Sequence, residues 1–402
     1  MPMTRPIRPL TGLRVLELGQ LLAGPFCGSM LAYFGAEVIK VEPPGGDPIR
    51  GWRVLDDGGT SYWWRSLGRN KKCITVDLRS ERGQDTVRRL AERSDVLIEN
   101  FSPGVLERWG LAPQALKELN PRLVIARISG YGQDGPYASR PGFASVCEGI
   151  SGFRHLNGFP GEVPVRQNLS IGDTIAGLHA VLGILLALRA RDASADGAGQ
   201  VVDVALYESM FNLLEAVVPE YSGAGVIRQP AGTTVTGIVP TNTYRCSDGK
   251  CVVIGGNGDS IFRRLMETIE REDLGNDPQL ASNAGRVERE PEIDAALAAW
   301  CAVRPAAEVL DLLQQRRVPA GPIYDVADLS ADSHCRARGL FERVEVDGKV
   351  LEIPALMPRL RDTPGATEWP GPVIGSHTDE VLREVLDLDE QAIAALRADG
   401  II

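Results

Sequence analysis

The chain has 402 residues, 44% hydrophobic and 24% charged, with a formal net charge of −10 and a pI near 5.1. That length admits two domains or one large one, and the composition is that of a soluble globular protein. The acidic balance argues against a nucleic-acid partner, and an anionic ligand must be met by locally clustered Lys and Arg.

Residues 13–19 (LRVLELG) read as a buried strand, followed by a helix over 22–34 and a strand over 37–42. Strand 73–78, helix 81–93, strand 95–99 and a further strand at 123–129 repeat the alternation. Such a pattern implies a parallel sheet covered by helices on both faces. The turn after the first strand, Gly19-Gln20-Leu21-Leu22-Ala23-Gly24, lacks GxGxxG, and no GxxxxGK[ST] occurs, so neither NAD nor P-loop nucleotide binding is expected. Glu42, where a dinucleotide fold places its ribose-binding acid, is a weak signal without those glycines. Residues 43–72 form a long segment without periodicity, rich in Gly, Trp and Arg. It brings Arg50, Arg53, Arg65, Arg69, Lys71 and Lys72 near the ends of parallel strands, where fixed cations suit phosphates or carboxylates. Trp52, Trp63 and Trp64 argue against a fully solvated loop.

From Thr174 to Leu188 the only polar side chains are Thr174 and His179. A helix apolar all round belongs inside a domain, and this run falls short of the about 20 residues that span a bilayer. A loop ending in Gly172-Asp173 precedes it. Asp173 reads as an N-cap or as a carboxylate nucleophile, and the two are compatible because a helix terminus offers amide donors and positive potential to an oxyanion.

Beyond it, 199–206 is a strand and 207–217 a helix, and residues 222–240 are a linker or loop. A hairpin over 244–254 turns at Ser247-Asp248-Gly249, with helices at 260–269, 292–302 and 306–316. Strands 341–346 and 349–353 join at Asp347-Gly348, and helices 379–386 and 389–398 end the chain. The expected division is a large domain over 1–224, a small α+β domain over 225–325, and a return to the large domain over 326–402. Seven scattered cysteines without CxxC spacing and four histidines without HExxH spacing predict reduced thiols, no disulfide framework and no metal site. With no hydrophobic segment in MPMTRPIRPLTG, the expectation is a cytoplasmic protein without membrane association.

Placed in order, VLELGQLLAGP (15–25), GAEVIKVE (35–42), Asn70-Lys71-Lys72, ENFSPG (99–104), SGYGQDGPY (129–137), Gly172-Asp173, VPAGPI (318–323) and GSHTD (375–379) resemble the family III CoA-transferases. The resemblance runs over nearly the whole chain. It implies an α/β fold: a Rossmann-like large domain whose parallel sheet is formed from both chain ends, a smaller α+β domain, and an interlocked homodimer. It implies Asp173 as nucleophile, with CoA or an acyl-CoA as substrate and no permanently bound cofactor. The implied CoA contacts are Leu22, Ala23, Val76, Arg79, Asn100, Phe101, Ser102 and Arg108. Formyl-CoA transferase has an arginine where this chain has Pro43, so that phosphate contact is missing or comes from Arg50, Arg53 or another residue of the loop.

The implied chemistry carries CoA through an aspartyl mixed anhydride and an aspartyl-CoA thioester. Gln20, following the first strand, reads either as a group that orients an acyl or aspartyl oxygen or as a polar turn residue, and amides near Gly172 or in the loop 231–237 suit an oxyanion; that loop also suits a lid. Arg50-Gly51-Trp52, Arg140-Pro141-Gly142-Phe143, Leu206–Ser209 and Val218-Pro219 are similar to the branch that moves CoA between succinyl-CoA and malate or citramalate. Arg50, Trp52, Arg140 and Phe143 are therefore substrate candidates. α-Methylacyl-CoA racemases of the same fold need a histidine that would fall at Phe143, which disfavours racemisation. A non-catalytic acyl-CoA-binding protein is the remaining alternative.

Overall fold

The computed structural model describes residues 7–402. Six strands, β1 (Arg14–Glu17), β2 (Glu37–Glu42), β3 (Lys71–Thr75), β4 (Val96–Glu99), β5 (Val124–Ser129) and β6 (Val201–Ala205), form one sheet. Their order is β3-β2-β1-β4-β5-β6 and every pairing is parallel. This is the doubly wound dinucleotide-fold order, in which ligands bind where the order reverses, here beyond the C-terminal ends of β1 and β4. The sequence-based expectation of alternating strands and helices matches these elements to within a few residues.

Alternation along each strand sends side chains to opposite faces. Val15, Val38, Val96, Ile98, Val124 and Ala126 face the helices Ala23–Tyr33 and Ile171–Ala193. Leu16, Ile39, Ile74, Leu97 and Ile125 face the helix Glu81–Glu92 and the C-terminal helices Thr378–Leu386 and Glu390–Ala398. The last residues of the chain thus cover a sheet built from its first half. The expectation that both chain ends contribute strands to that sheet is corrected. β10 (Phe341–Val346) and β11 (Lys349–Pro354) pair only with each other, because Asp347 (φ +50°) and Gly348 (φ +75°) fold them into a tight hairpin.

The helix Ile171–Ala193 departs from expectation in two ways. It begins before Thr174: the Thr174 amide and hydroxyl both donate to the Ser170 carbonyl, at 3.1 and 3.0 Å, closing a first turn that contains Asp173. Gly172 is therefore a close-approach residue within the helix, where an added Cβ would sit 3.1 Å from Ala144 Cβ, and not a turn glycine. Secondly, the helix is not buried all round. Ala176, Ala180, Ile184 and Ala187 pack in the core, whereas Leu178, Leu182, Leu185 and Leu186 are exposed, Leu186 to 61%. Its 23 residues also meet the length and apolarity of a membrane span, contrary to the shorter run read from sequence. Its small-residue face, packed against β5 and β6, is that of a core helix.

The chain divides into two compact units, the first comprising residues up to Phe153, Gln167–Glu215 and Ala337–Ile402. The second comprises Arg154–Arg166 and Ala216–Arg336, so it starts before residue 225 and borrows an excursion from the large domain. Within it β7 (Thr241–Arg245), β8 (Cys251–Gly255) and β9 (Ala320–Pro322) form an antiparallel sheet. Phe262, Leu265, Leu297, Trp300, Val309 and Leu313 pack with its buried side chains. Segment 231–237 belongs to this unit.

Candidate active site

The reversal point of the sheet is also where the Asn100 side chain meets the Gln20 backbone. β1 runs on through Leu18 and Gly19 to Gln20, and β4 runs on to Asn100. The Asn100 amide is spent on the Gln20 backbone: Oδ1 accepts the Gln20 N–H at 2.7 Å and Nδ2 donates to the Gln20 carbonyl at 2.8 Å. Gly19 is required by this approach, since a Cβ there would lie 2.9 Å from Asn100 Oδ1.

In front of this turn lies a cavity of about 330 Å³ whose walls include Gln20, Asn100, Ser102, Arg140, Phe143 and Asp173. Ala23 and Phe101 line it as well. Asp173 enters from the first turn of its helix, where backbone amides and the helix dipole favour negative charge. Cys147 sits close enough for its thiol to be pushed up to about 11, first by burial and then by the Asp173 and Glu148 carboxylates. Arg140 stacks on the Tyr137 ring, 3.5 Å from its centroid, and has no carboxylate partner among the described residues. Phe143 is 70% exposed.

Other candidates lie elsewhere, for identifiable reasons. The Arg50 guanidinium forks onto Glu42 at 2.9–3.2 Å, donates to the Pro372 carbonyl at 2.8 Å, and stacks over Trp64 at 3.9 Å. It is thus committed within the protein, and so is Glu42, the weakly suggested ribose acid. Burial raises Glu42 above the ordinary carboxylate range, although Lys40 and Arg50 oppose that shift. Trp52 does not line the cavity with Asp173. Leu22 faces a second, largely apolar cavity of about 450 Å³ together with Arg53, whose guanidinium stacks on Trp63 at 4.0 Å. The Val76 side chain is in the core. Arg79 is exposed and forks onto Asp77 at 2.8 and 3.0 Å, and Arg108 ends the short helix Val105–Arg108 outside the cavity. The expectation of a non-solvated loop over 43–72 holds, since Trp64 is fully buried with Ile49, Leu67 and Cys73.

Sequence reasoning missed what lies beneath the Gln20 turn. Lys71 Nζ is 2.8 Å from Glu17 Oε2 and donates to the Pro25 carbonyl at 2.6 Å. Lys40 Nζ reaches Glu17 Oε1 at 3.1 Å, Asp47 Oδ2 at 2.9 Å and the Gly19 carbonyl at 2.7 Å. All four side chains are fully buried. With the Arg50–Glu42 pair, three acids (Glu17, Asp47, Glu42) balance three bases (Lys40, Lys71, Arg50). Burial lowers both lysines; for Lys71 it wins despite Glu17, whereas for Lys40 the Asp47, Glu17 and Glu42 carboxylates prevail and raise it. The available signal was Lys40 in the interior of the strand EVIKVE, a charged residue where a buried parallel strand demands a partner.

Comparison with known proteins agrees with this architecture. The family model described as CoA-transferase family III matches residues 10–378. The succinyl-CoA–D-citramalate CoA-transferase of Chloroflexus aurantiacus is 44% identical over 400 residues, covering 99% of each chain. The succinyl-CoA–L-malate CoA-transferase alpha subunit of Chloroflexus aurantiacus is 40% identical, covering 98% of this chain and 92% of that one. The crystal structure of a CAIB/BAIF family protein from Brucella suis superposes with a TM-score of 0.83 at 34% identity, covering 94% and 99% of the two chains. A family model over most of the chain and relatives 40–44% identical over nearly the full length make this protein an enzyme that belongs to CoA-transferase family III.

Proposed function

We propose that the protein transfers CoA from succinyl-CoA to a small dicarboxylate of the malate or citramalate type, with Asp173 as nucleophile. The observation that carries this reading is the meeting of Asp173, Gln20 and Arg140 in one cavity at the reversal point of the sheet. The names of its relatives supply the substrate class.

The Asp173 carboxylate attacks the thioester carbonyl, breaking the C–S bond and forming a mixed anhydride with release of CoA thiolate. The thiolate attacks the aspartyl carbonyl and expels succinate, leaving an aspartyl-CoA thioester. The acceptor carboxylate attacks the carbonyl of that thioester, breaking its C–S bond, expelling CoA thiolate and forming a second anhydride. Returning thiolate then takes the acceptor acyl group and frees Asp173. Each step exchanges one activated acyl bond for another, so no ATP is consumed. Amides of the first helical turn stabilise the tetrahedral oxyanions, and the Gln20 amide orients the acyl oxygen. Arg140, lacking an internal carboxylate partner among the described residues, receives the distal carboxylate of the acceptor.

The exposed Leu178, Leu182, Leu185 and Leu186 support a homodimer, since a contiguous apolar stripe of this kind is rarely left to water. Seven cysteines without a disulfide among the described residues suit the cytoplasm.

Mass spectrometry of intact enzyme quenched during turnover of succinyl-CoA tests the reading. An acyl or CoA adduct on Asp173 is expected. Asp173→Asn should lack it and lose roughly 10³-fold or more in turnover. A wild-type enzyme that turns over without any adduct on Asp173 overturns the mechanism.

A further inference from the structure

Two peptide groups flank Gln20, and each of their four polar atoms is bonded to a side chain. Lys40 Nζ donates to the Gly19 carbonyl at 2.7 Å, and Asn100 takes the Gln20 N–H and carbonyl at 2.7 and 2.8 Å. The fourth atom, the Leu21 N–H, donates to both carboxylate oxygens of Asp47, at 3.1 and 3.2 Å. Leu21 has φ +63°, a left-handed conformation that L residues rarely adopt. A turn that needed only that shape would take glycine. Here a bulky residue is held in it by a buried carboxylate, itself bonded to the Ile49 N–H at 3.1 Å and paired with Lys40 at 2.9 Å.

The side chain so carefully presented is in a different state. Gln20 lines the cavity with Asp173, and its amide has no protein partner among the described residues. Backbone polar atoms are saturated while the side-chain amide is left to a ligand. That is how a donor is pre-organised for charge that develops only during reaction.

We infer that Asp47, with Lys40 behind it, is a positioning residue for the transfer reaction: it holds the Leu21 peptide so that the Gln20 amide meets the oxygen of the acyl group carried by Asp173. This rests on the proposed role of Asp173, and it adds residues on the second strand and in the following loop to a site otherwise built from the ends of the first and fourth strands, the Arg140–Phe143 segment and the Asp173 helix. Lys40 neutralises Asp47 and, through Gly19, holds the preceding peptide, so the pair acts on both sides of Gln20.

The test is a double-mutant cycle on the full-length enzyme, read by exchange of ¹³C-labelled succinate into succinyl-CoA. Gln20→Ala should lower kcat about 100-fold, the usual loss for one oriented donor. Asp47→Ala should lower it by a similar factor, with the Kd for CoA changed less than about twofold. In the Gln20→Ala background, Asp47→Ala should cost no more than a further factor of about three, because the group it orients is gone. Asp47→Asn, which keeps a carbonyl acceptor for the Leu21 N–H, should recover activity to within about tenfold of wild type, and it carries the test if the alanine variant does not fold.

Losses that multiply in the double variant overturn the inference. So does a CoA Kd that rises in step with the fall in kcat, or a Gln20→Ala enzyme with full exchange activity. A wild-type adduct on Asp173 together with a multiplicative cycle would sink the positioning role alone. Absence of the adduct would sink the reading beneath it.

Discussion

Removing one charge from the buried cluster under the Gln20 turn should harm the protein more than removing two. Lys71 and Glu17 are fully buried and 2.8 Å apart. Lys71→Met leaves Glu17 facing Lys40 alone, while Lys40 is also committed to Asp47. An uncompensated buried charge of this kind costs about 3–5 kcal/mol, a large share of the roughly 5–15 kcal/mol by which domains are stable. Glu17→Gln should cost a similar amount, since it strands the Lys71 ammonium, which burial already disfavours. The double variant leaves Lys40 with Asp47 and Arg50 with Glu42, two acids and two bases in balance. It should therefore be destabilised by only about 1–3 kcal/mol, less than either single change, giving a coupling energy above about 2 kcal/mol. Urea unfolding followed by tryptophan fluorescence and far-UV circular dichroism, compared at constant slope, measures this. If the double variant loses the sum of the two single losses, the charge-balance reasoning is wrong.

Three further outcomes follow from the geometry. Arg140→Ala should raise KM for a dicarboxylate acceptor roughly 10- to 100-fold, as loss of a charge-assisted pair does, with Arg140→Lys intermediate and CoA affinity unchanged; an unaltered acceptor KM would exclude Arg140 from substrate binding. Leu182→Glu with Leu186→Glu places two charges on the exposed stripe of the central helix and should shift the protein to a monomer by light scattering, whereas an unchanged mass assigns the stripe no role in assembly. His377 has its pKa lowered by burial, with Lys72 adding and Glu380 opposing, and its Nδ1 accepts the Cys73 N–H at 3.2 Å. The unfolded chain therefore binds a proton more readily than the folded one. Stability is complete above the unfolded value of 6.5 and falls as pH drops from there towards the lower folded pKa. His377→Gln should flatten that limb of a plot of Tm against pH, and a slope that survives the substitution would place its origin elsewhere.

The sequence alone determined whatever repeats locally. Alternating strand and helix periods, the Asp347-Gly348 turn and the apolar run after Asp173 are set by neighbours a few residues apart, and the corresponding elements are present with small shifts at their ends. The segment 43–72 was recognisable as not fully solvated because tryptophans are costly to leave in water, but only the fold decided that Trp64 is buried, Trp63 partly so, and Trp52 exposed. Tertiary structure decided what depends on residues distant in the chain. Arg50 and Arg140 look alike in sequence, yet one is consumed by Glu42 and a carbonyl far along the chain, while the other stacks on Tyr137 and forms no ion pair among the described residues. Lys40, unremarked in a hydrophobic strand, proves to hold the Gly19 carbonyl in the turn before Gln20, and Asn100, read as a CoA contact, spends its side-chain amide on the Gln20 backbone. The helix that seemed destined for full burial keeps a leucine face in the open, because apolarity reports what a side chain avoids and not which neighbour covers it. Periodicity names the face a residue occupies; only the folded chain fixes the distance to its partner, and charge pairing within a buried site is governed by that distance.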